Sequence, residues 1–154
     1  MKKIIAVLMV LMLTLSLCAC GSSSLKGEEQ TWGNISVFVP EGWNLTGGDL
    51  LDENDPDKLS LKDPDADSFT YVNVLIDTEE NIDNNINATK EMNEGTSDTT
   101  VKVGEAEWTG LTYESLGYKC GYLKHVVADK VYAVYFCGYA TDDAAFQAIL
   151  GSLK

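Results

Sequence analysis

Residues 119–139 read KCGYLKHVVADKVYAVYFCGY. Lys119–Val127 and Val131–Tyr139 are rich in the β-branched and aromatic residues that favour strands. If Ala128–Asp129 make the turn, Val127 faces Lys130. Counting back from that pair sets Cys120 opposite Cys137. They then fall on a non-hydrogen-bonded pair, with Cα atoms about 4.5 Å apart. That separation lies within the window of about 4.4–6.8 Å that a disulfide needs. Ala128 is not the residue a primed turn prefers, and a three-residue loop would shift the register by one and lose the match. One hairpin face carries Leu123, Tyr132, Val134 and Phe136. The other carries Tyr122, Val126, Val131, Tyr135 and Tyr139. A strand pair that is apolar on both faces needs cover on both.

The neighbouring segments supply candidates for that cover. Ile35–Val39 alternates as a strand and ends at Pro40-Glu41-Gly42, with Trp43 following. Lys58–Lys62 and Phe69–Ile76 read as a second hairpin around the turn Asp63-Pro64-Asp65-Ala66-Asp67. Asn81–Glu94 changes to helical period, with Ile82, Ile86, Ala88, Thr89 and Met92 on one face and Gly95 as the stop. Thr99–Val103 and Glu107–Glu114 read as strands joined near Gly104. A last helix follows a cap at Thr141, with Phe146, Ile149, Leu150 and Leu153 along one stripe.

Three phrases in this order carry a resemblance. They are Ser36-Val37-Phe38-Val39-Pro40-Glu41-Gly42-Trp43, then Val101-Lys102-Val103-Gly104 leading into Trp108-Thr109-Gly110-Leu111, and the closing Ile149-Leu150-Gly151-Ser152-Leu153. From about Ile35 to Leu153 the chain resembles the PsbP-like superfamily, named for an extrinsic subunit of photosystem II and including small bacterial lipoproteins. The resemblance implies an α+β fold, a central antiparallel β-sheet with helices on both faces, as an α/β/α sandwich. It implies no activity, since fold does not carry function.

The N-terminus addresses the chain to a membrane surface. Lys2 and Lys3 precede an apolar run from Ile4 to Leu17, the pattern of a signal peptide. The run is short of the roughly 20 residues that span a bilayer. Leu17-Cys18-Ala19-Cys20-Gly21 with Ser22–Ser24 resembles the lipobox of bacterial lipoproteins. Cys20 has Ala19 before it and Leu17 at −3, so it is the expected lipidated N-terminus, and Cys18 leaves with the leader. Secretion after Ala19 with a free thiol is the alternative. The expected organisation is a signal peptide at 1–19, a lipidated flexible tether at 20–31 and one PsbP-like domain at 32–154. The expected location is the extracytoplasmic side of the cell membrane. Acyl burial at about 0.8 kcal/mol per methylene holds the chain there when two or more chains are attached.

Composition narrows the function. The net charge is −13 with no arginine, and losing Lys2 and Lys3 makes it more acidic still. This argues against nucleic acid, which requires basic patches, and against charge-driven docking on anionic lipid. His125 is the single histidine and lies mid-strand opposite Tyr132, with no Gly-x-Ser-x-Gly elbow. No catalytic set is expected, and hence no enzyme. Cys120 and Cys137 read as a structural disulfide ahead of a redox pair or metal ligands, because export favours oxidation and zinc wants more close-spaced Cys or His. The stretch 49–67 holds eight acidic residues, but EF-hand spacing fails because Ser68 and Val74 fall where glycine and glutamate belong. No cofactor or metal is therefore assigned. The leading expectation is a non-catalytic binding or accessory module, held by its lipid, whose partner is another envelope protein. The rival is a small-ligand or cation receptor using loop 49–67 or an aromatic groove.

Overall fold

The computed structural model describes residues 25–48 and 52–154. Its elements are β1 (Gly27–Trp32), β2 (Ile35–Pro40), β3 (Asn44–Gly47), β4 (Lys58–Lys62), β5 (Tyr71–Asp77), α1 (Glu79–Met92), β6 (Ser97–Val103), β7 (Ala106–Ser115), β8 (Tyr118–Val127), β9 (Lys130–Cys137) and α2 (Ala144–Ser152). Seven strands form one antiparallel sheet in the order β3-β4-β5-β9-β8-β7-β6, and β1 and β2 pair separately. This is an α+β architecture of mostly antiparallel sheet with two helices.

The β8–β9 hairpin sits at the middle of the sheet in the expected register. Val127 pairs with Lys130, His125 with Tyr132, and Cys120 with Cys137. The two-residue turn holds because Ala128 adopts the left-handed conformation, with φ +54°. At the β7–β8 turn, Leu116 (φ +53°) and Gly117 (φ +84°) are both left-handed. That is the φ pattern of a type I′ turn, whose twist matches the strands it joins.

Side chains alternate between two cores. Leu123, Tyr132, Val134 and Phe136 join Ile35, Val37 and Val39 of β2 with Phe146, Ile149 and Leu150 of α2. Cys120, Tyr122, Val131, Ala133 and Cys137 join Leu111 and Tyr113 with Ile82 of α1. Each large apolar side chain fully buried here contributes about 1.5–3 kcal/mol, so the α2 stripe alone is a major support. Gly121 permits part of this packing, because a Cβ there would lie 2.6 Å from the Phe136 ring.

Both helices begin at side-chain caps, α1 two residues earlier than its period suggests. Thr78 caps α1, its hydroxyl accepting from the Asn81 amide at 3.3 Å, with Glu79 and Glu80 in the positive first turn. Asp143 rather than Thr141 caps α2, its Oδ1 accepting from the amides of Ala145 and Phe146 at 2.9 and 3.0 Å. Met92 belongs to no core and is 83% exposed, and Val126 is 50% exposed. The helical stripe therefore stops short of Met92, at the last residue of α1, and the second hairpin face is uncovered at Val126.

A strand also begins within the stretch 20–31 expected as a tether. Gly27–Trp32 is a strand, its six residues paired from Gly27↔Pro40 to Trp32↔Ile35. Its sequence, GEEQTW, is almost wholly polar and surface-facing, so it shows no strand period. Pairing to β2 and a 2.9 Å bond from Trp32 Nε1 to the Asp55 carbonyl hold it. The four-residue β3 also lacks a readable pattern and forms by pairing with β4.

The registers divide the molecule into two ends. Lys26, Glu41–Trp43, loop 63–70, the end of α1, the β7–β8 turn and loop 138–143 gather at one, the entry end. The turns at 33–34, 104–105 and 128–129, with Asp57, lie at the other.

Candidate functional site

Four neighbouring strands of the sheet, of which only β5 comes from a distant part of the chain, bring four tyrosines together around the disulfide. In the order β5-β9-β8-β7, one rung reads Tyr71, Cys137, Cys120, Tyr113. The next reads Asn73, Tyr135, Tyr122, Leu111. The Cys120–Cys137 bridge therefore lies between Tyr71 and Tyr113, with Cα atoms 4.0 Å apart. Tyr135 is the hub. Its ring centroid is 5.6 Å from Tyr71 and 5.8 Å from Tyr122, and its hydroxyl is 3.1 Å from that of Tyr113. These are the tilted contacts that aromatic quadrupoles prefer. Burial, and then the Tyr135 hydroxyl, push the phenols of Tyr71 and Tyr113 well above the ordinary tyrosine range. Burial raises Tyr122 as well. All three stay neutral hydrogen-bonding groups at physiological pH.

Tyr71, Tyr118 and Tyr135 are only half-buried, so the cluster reaches the surface. At its border the Tyr118 hydroxyl donates to Asp67 Oδ2 at 2.7 Å, and the Tyr118 ring packs on Phe69 at 5.9 Å. Asp67 Oδ1 accepts from the Phe69 amide at 2.9 Å. The bond from Tyr118, and then that from Phe69, hold the Asp67 carboxyl below its usual range. Beyond the tyrosines, Lys124 Nζ bonds Asp83 at 2.6 Å and Glu79 at 2.9 Å, pinning α1 to β8. The Asp83 bond is the first cause of the raised lysine pKa.

A groove of about 580 Å³ opens at the entry end, lined by Ser97, Thr112, Glu114, Lys119, Tyr139 and Asp142 among others. The Tyr139 hydroxyl is buried with no hydrogen-bond partner among the described residues. Burial first, then Asp63 and Asp143, push its pKa up. Its ring sits between Trp43 and Phe146, at 5.3 and 6.3 Å.

The remaining candidates separate. His125 Nδ1 lies 2.8 Å from the Glu107 carbonyl, and its ring packs on Trp108 at 5.1 Å, so its partners are a backbone oxygen and an indole. The acidic residues of 52–67 form turns. Asp52, Asp55, Asp63 and Asp67 each accept from the amide two residues ahead, at 2.9–3.0 Å. These are Asx-turns, in which the side chain mimics a backbone turn. Among the described residues no three His, Cys, Asp or Glu side chains come close enough to hold a metal ion. Positions 49–51 and Cys20, with the whole leader, lie outside the described residues. Among the described residues no helix is long and apolar enough to cross a membrane.

No family model matches the chain, and no curated protein matches it. Among solved structures, a 1.50 Å crystal structure from Bacteroides thetaiotaomicron VPI-5482 is similar, with a TM-score of 0.54 at 12% identity. The match covers 84% of this chain and 48% of that one, so this chain spans about half the length of that structure. At that identity the likeness is one of fold alone.

Proposed function

We propose that the chain is an extracytoplasmic lipoprotein anchored through lipid on Cys20, and that its domain is a non-catalytic binding or accessory module for another envelope protein. In this reading residues 1–19 are the signal peptide and the domain is a PsbP-like α/β/α sandwich. The sandwich is supported by the division of helical side chains, with Phe146, Ile149 and Leu150 in one core and Ile82 in the other. The observation that carries the binding role is the tyrosine surface around Cys120–Cys137. Half-exposed tyrosines on disulfide-clamped strands give large amphipathic contact area at low entropy cost, which is why tyrosine is enriched at interfaces.

The test is in-cell crosslinking of the full-length tagged protein, with a photoreactive residue at Tyr71 or Tyr135 and a control at Asp129 in the far-end turn. The expected result is one dominant adduct from the tyrosine positions, lost when Cys20→Ser releases the chain. Adducts no stronger than those at Asp129 would overturn the reading. Turnover abolished by His125→Ala with the fold intact would overturn its non-catalytic part.

A second reading rests on the groove at Tyr139. Its volume falls in the range of about 300–1,000 Å³ typical of small-molecule sites, and the buried Tyr139 hydroxyl beside it lacks a hydrogen-bond partner among the described residues. A metabolite panel that raises the melting temperature, with the shift abolished by Tyr139→Phe, would favour it.

A further inference from the structure

Among the described residues the exposed large apolar side chains are Leu25, Phe69, Met92, Leu116 and Val126. Scattered singly, exposed apolar residues need no explanation. Here all but Val126 project from the entry end, and they come from four unrelated elements. Leu25 precedes the first strand, and Phe69 is on loop 63–70. Met92 closes α1, and Leu116 is at the β7–β8 turn tip. Val126 alone lies toward the other end.

Two of these side chains are held out by specific arrangements. The Asp67 bonds to the Phe69 amide and to Tyr118 fix Phe69 against Tyr118. Leu116 is 82% exposed yet has φ +53°, a conformation that disfavours a side chain with a Cβ. Asparagine or glycine would serve the turn better. An exposed leucine kept in a left-handed position adds nothing to the stability of the turn.

We infer that the entry end is a lipid-docking face, in which Phe69, Met92 and Leu116 insert into the headgroup region of the bilayer that carries the anchor. This inference rests on the lipid-anchored reading. The occupant follows from where the chain enters. Five residues lie between Cys20 and Lys26, a reach of about 20 Å at full extension. The entry end is therefore the part of the domain closest to the lipid. Apolar side chains on loop tips give shallow interfacial burial, and the anchor makes weak insertion effective by keeping the face concentrated at the surface. Asp63, Asp65 and Asp67 share this end, so the favoured surface is zwitterionic, because anionic lipid would repel them. The tyrosine rung Tyr71–Tyr113 then lies next to the bilayer, which places its protein partner at the membrane surface too.

The experiment uses the full-length processed protein in phosphatidylcholine vesicles, spin-labelled through Leu116→Cys, Met92→Cys or, as control, Val126→Cys. Collision rates are measured with oxygen, which concentrates in lipid, and with a water-soluble nickel chelate. The expected result is several-fold lower nickel and higher oxygen accessibility at 116 and 92 than at 126. Equal accessibility at the three sites, in protein that still sediments with vesicles unless Cys20→Ser is present, overturns the docking face and leaves the anchor standing. Protein that never sediments with vesicles overturns both. Labels at 116 and 92 shielded from oxygen and nickel alike mean that protein, a partner or a second copy, covers this end, and that also overturns lipid as the occupant.

Discussion

Reducing the Cys120–Cys137 bridge should lower the unfolding free energy by about 3 kcal/mol. The two cysteines are 17 residues apart in sequence, and in the chain-entropy model a closed loop of that order removes about 3 kcal/mol of denatured-state freedom. Reduction leaves both sulfurs in place, so packing changes little. Replacing both residues by alanine adds a second cost, because Cys120 and Cys137 are 1% and 7% exposed. Each lost sulfur leaves a small void worth about 1 kcal/mol. The three forms separate the two effects in urea titrations followed by tryptophan fluorescence. The oxidised chain should be the most stable, the reduced chain about 3 kcal/mol below it, and Cys120→Ala/Cys137→Ala about 2 kcal/mol lower again. The melting temperature should fall by roughly 10 °C on reduction, at about 3 °C per kcal/mol for a domain of this size. The urea slope should steepen, since an uncrosslinked chain exposes more surface when unfolded. A reduced chain within about 1 kcal/mol of the oxidised one would refute the reasoning. It would mean that the β8–β9 hairpin persists in the denatured ensemble, so that the bridge closes a loop already closed.

Three further outcomes follow from other parts of the molecule. Leu116→Asn should stabilise the fold by about 1 kcal/mol in thermal or urea unfolding, because asparagine accepts the left-handed φ that leucine resists; the same change should weaken vesicle docking. Lys124→Ala should cost about 1 kcal/mol in urea unfolding, since it removes partly shielded bonds to Asp83 and Glu79, and amide exchange should rise first in α1. The phenols of Tyr71, Tyr113 and Tyr139 are raised in the fold, so the stability they contribute is complete below the unfolded tyrosine pKa of about 10 and is lost as pH rises past it. The melting temperature should then fall above pH ~10, as thermal unfolding followed across alkaline pH would show.

The central hairpin was legible because two signals coincide. Period-2 alternation sets which residues share a face, and the pairing of Cys120 with Cys137 is met by one turn length only. The α2 stripe was legible because Phe146, Ile149, Leu150 and Leu153 are large and apolar at helical spacing among small or polar neighbours. Gly27–Trp32 was not, since a polar strand on the surface owes its existence to a partner rather than to its own pattern. The acidic stretch failed the spacing of a cation loop, but what its aspartates do instead was not readable from the sequence. The folded chain shows Asp52, Asp55, Asp63 and Asp67 accepting from amides of their own turns. The tyrosine surface was half legible. Tyr113, Tyr122 and Tyr135 are visible as strand residues, but their meeting with Tyr71 depends on β5 lying beside β9, which local pattern does not encode.

The first strand also sets how the domain answers to force. Gly27 pairs with Pro40 at the entry end, and Lys26 continues the strand line, its carbonyl accepting from the Glu41 amide at 2.9 Å. A pull on that leading segment acts along β1, so the rungs from Gly27↔Pro40 to Trp32↔Ile35 carry the load together instead of opening one at a time. The β1–β2 pair is thus a shear joint for any load applied ahead of Gly27. Behind it, β2 is locked in the core by Ile35, Val37 and Val39, with its Phe38 amide bonded to Ser152 Oγ at 2.8 Å. Tension entering at the first residues of the fold passes through β2 to α2 and the final turn of the chain, while the β8–β9 hairpin and its tyrosine surface lie off the loaded path.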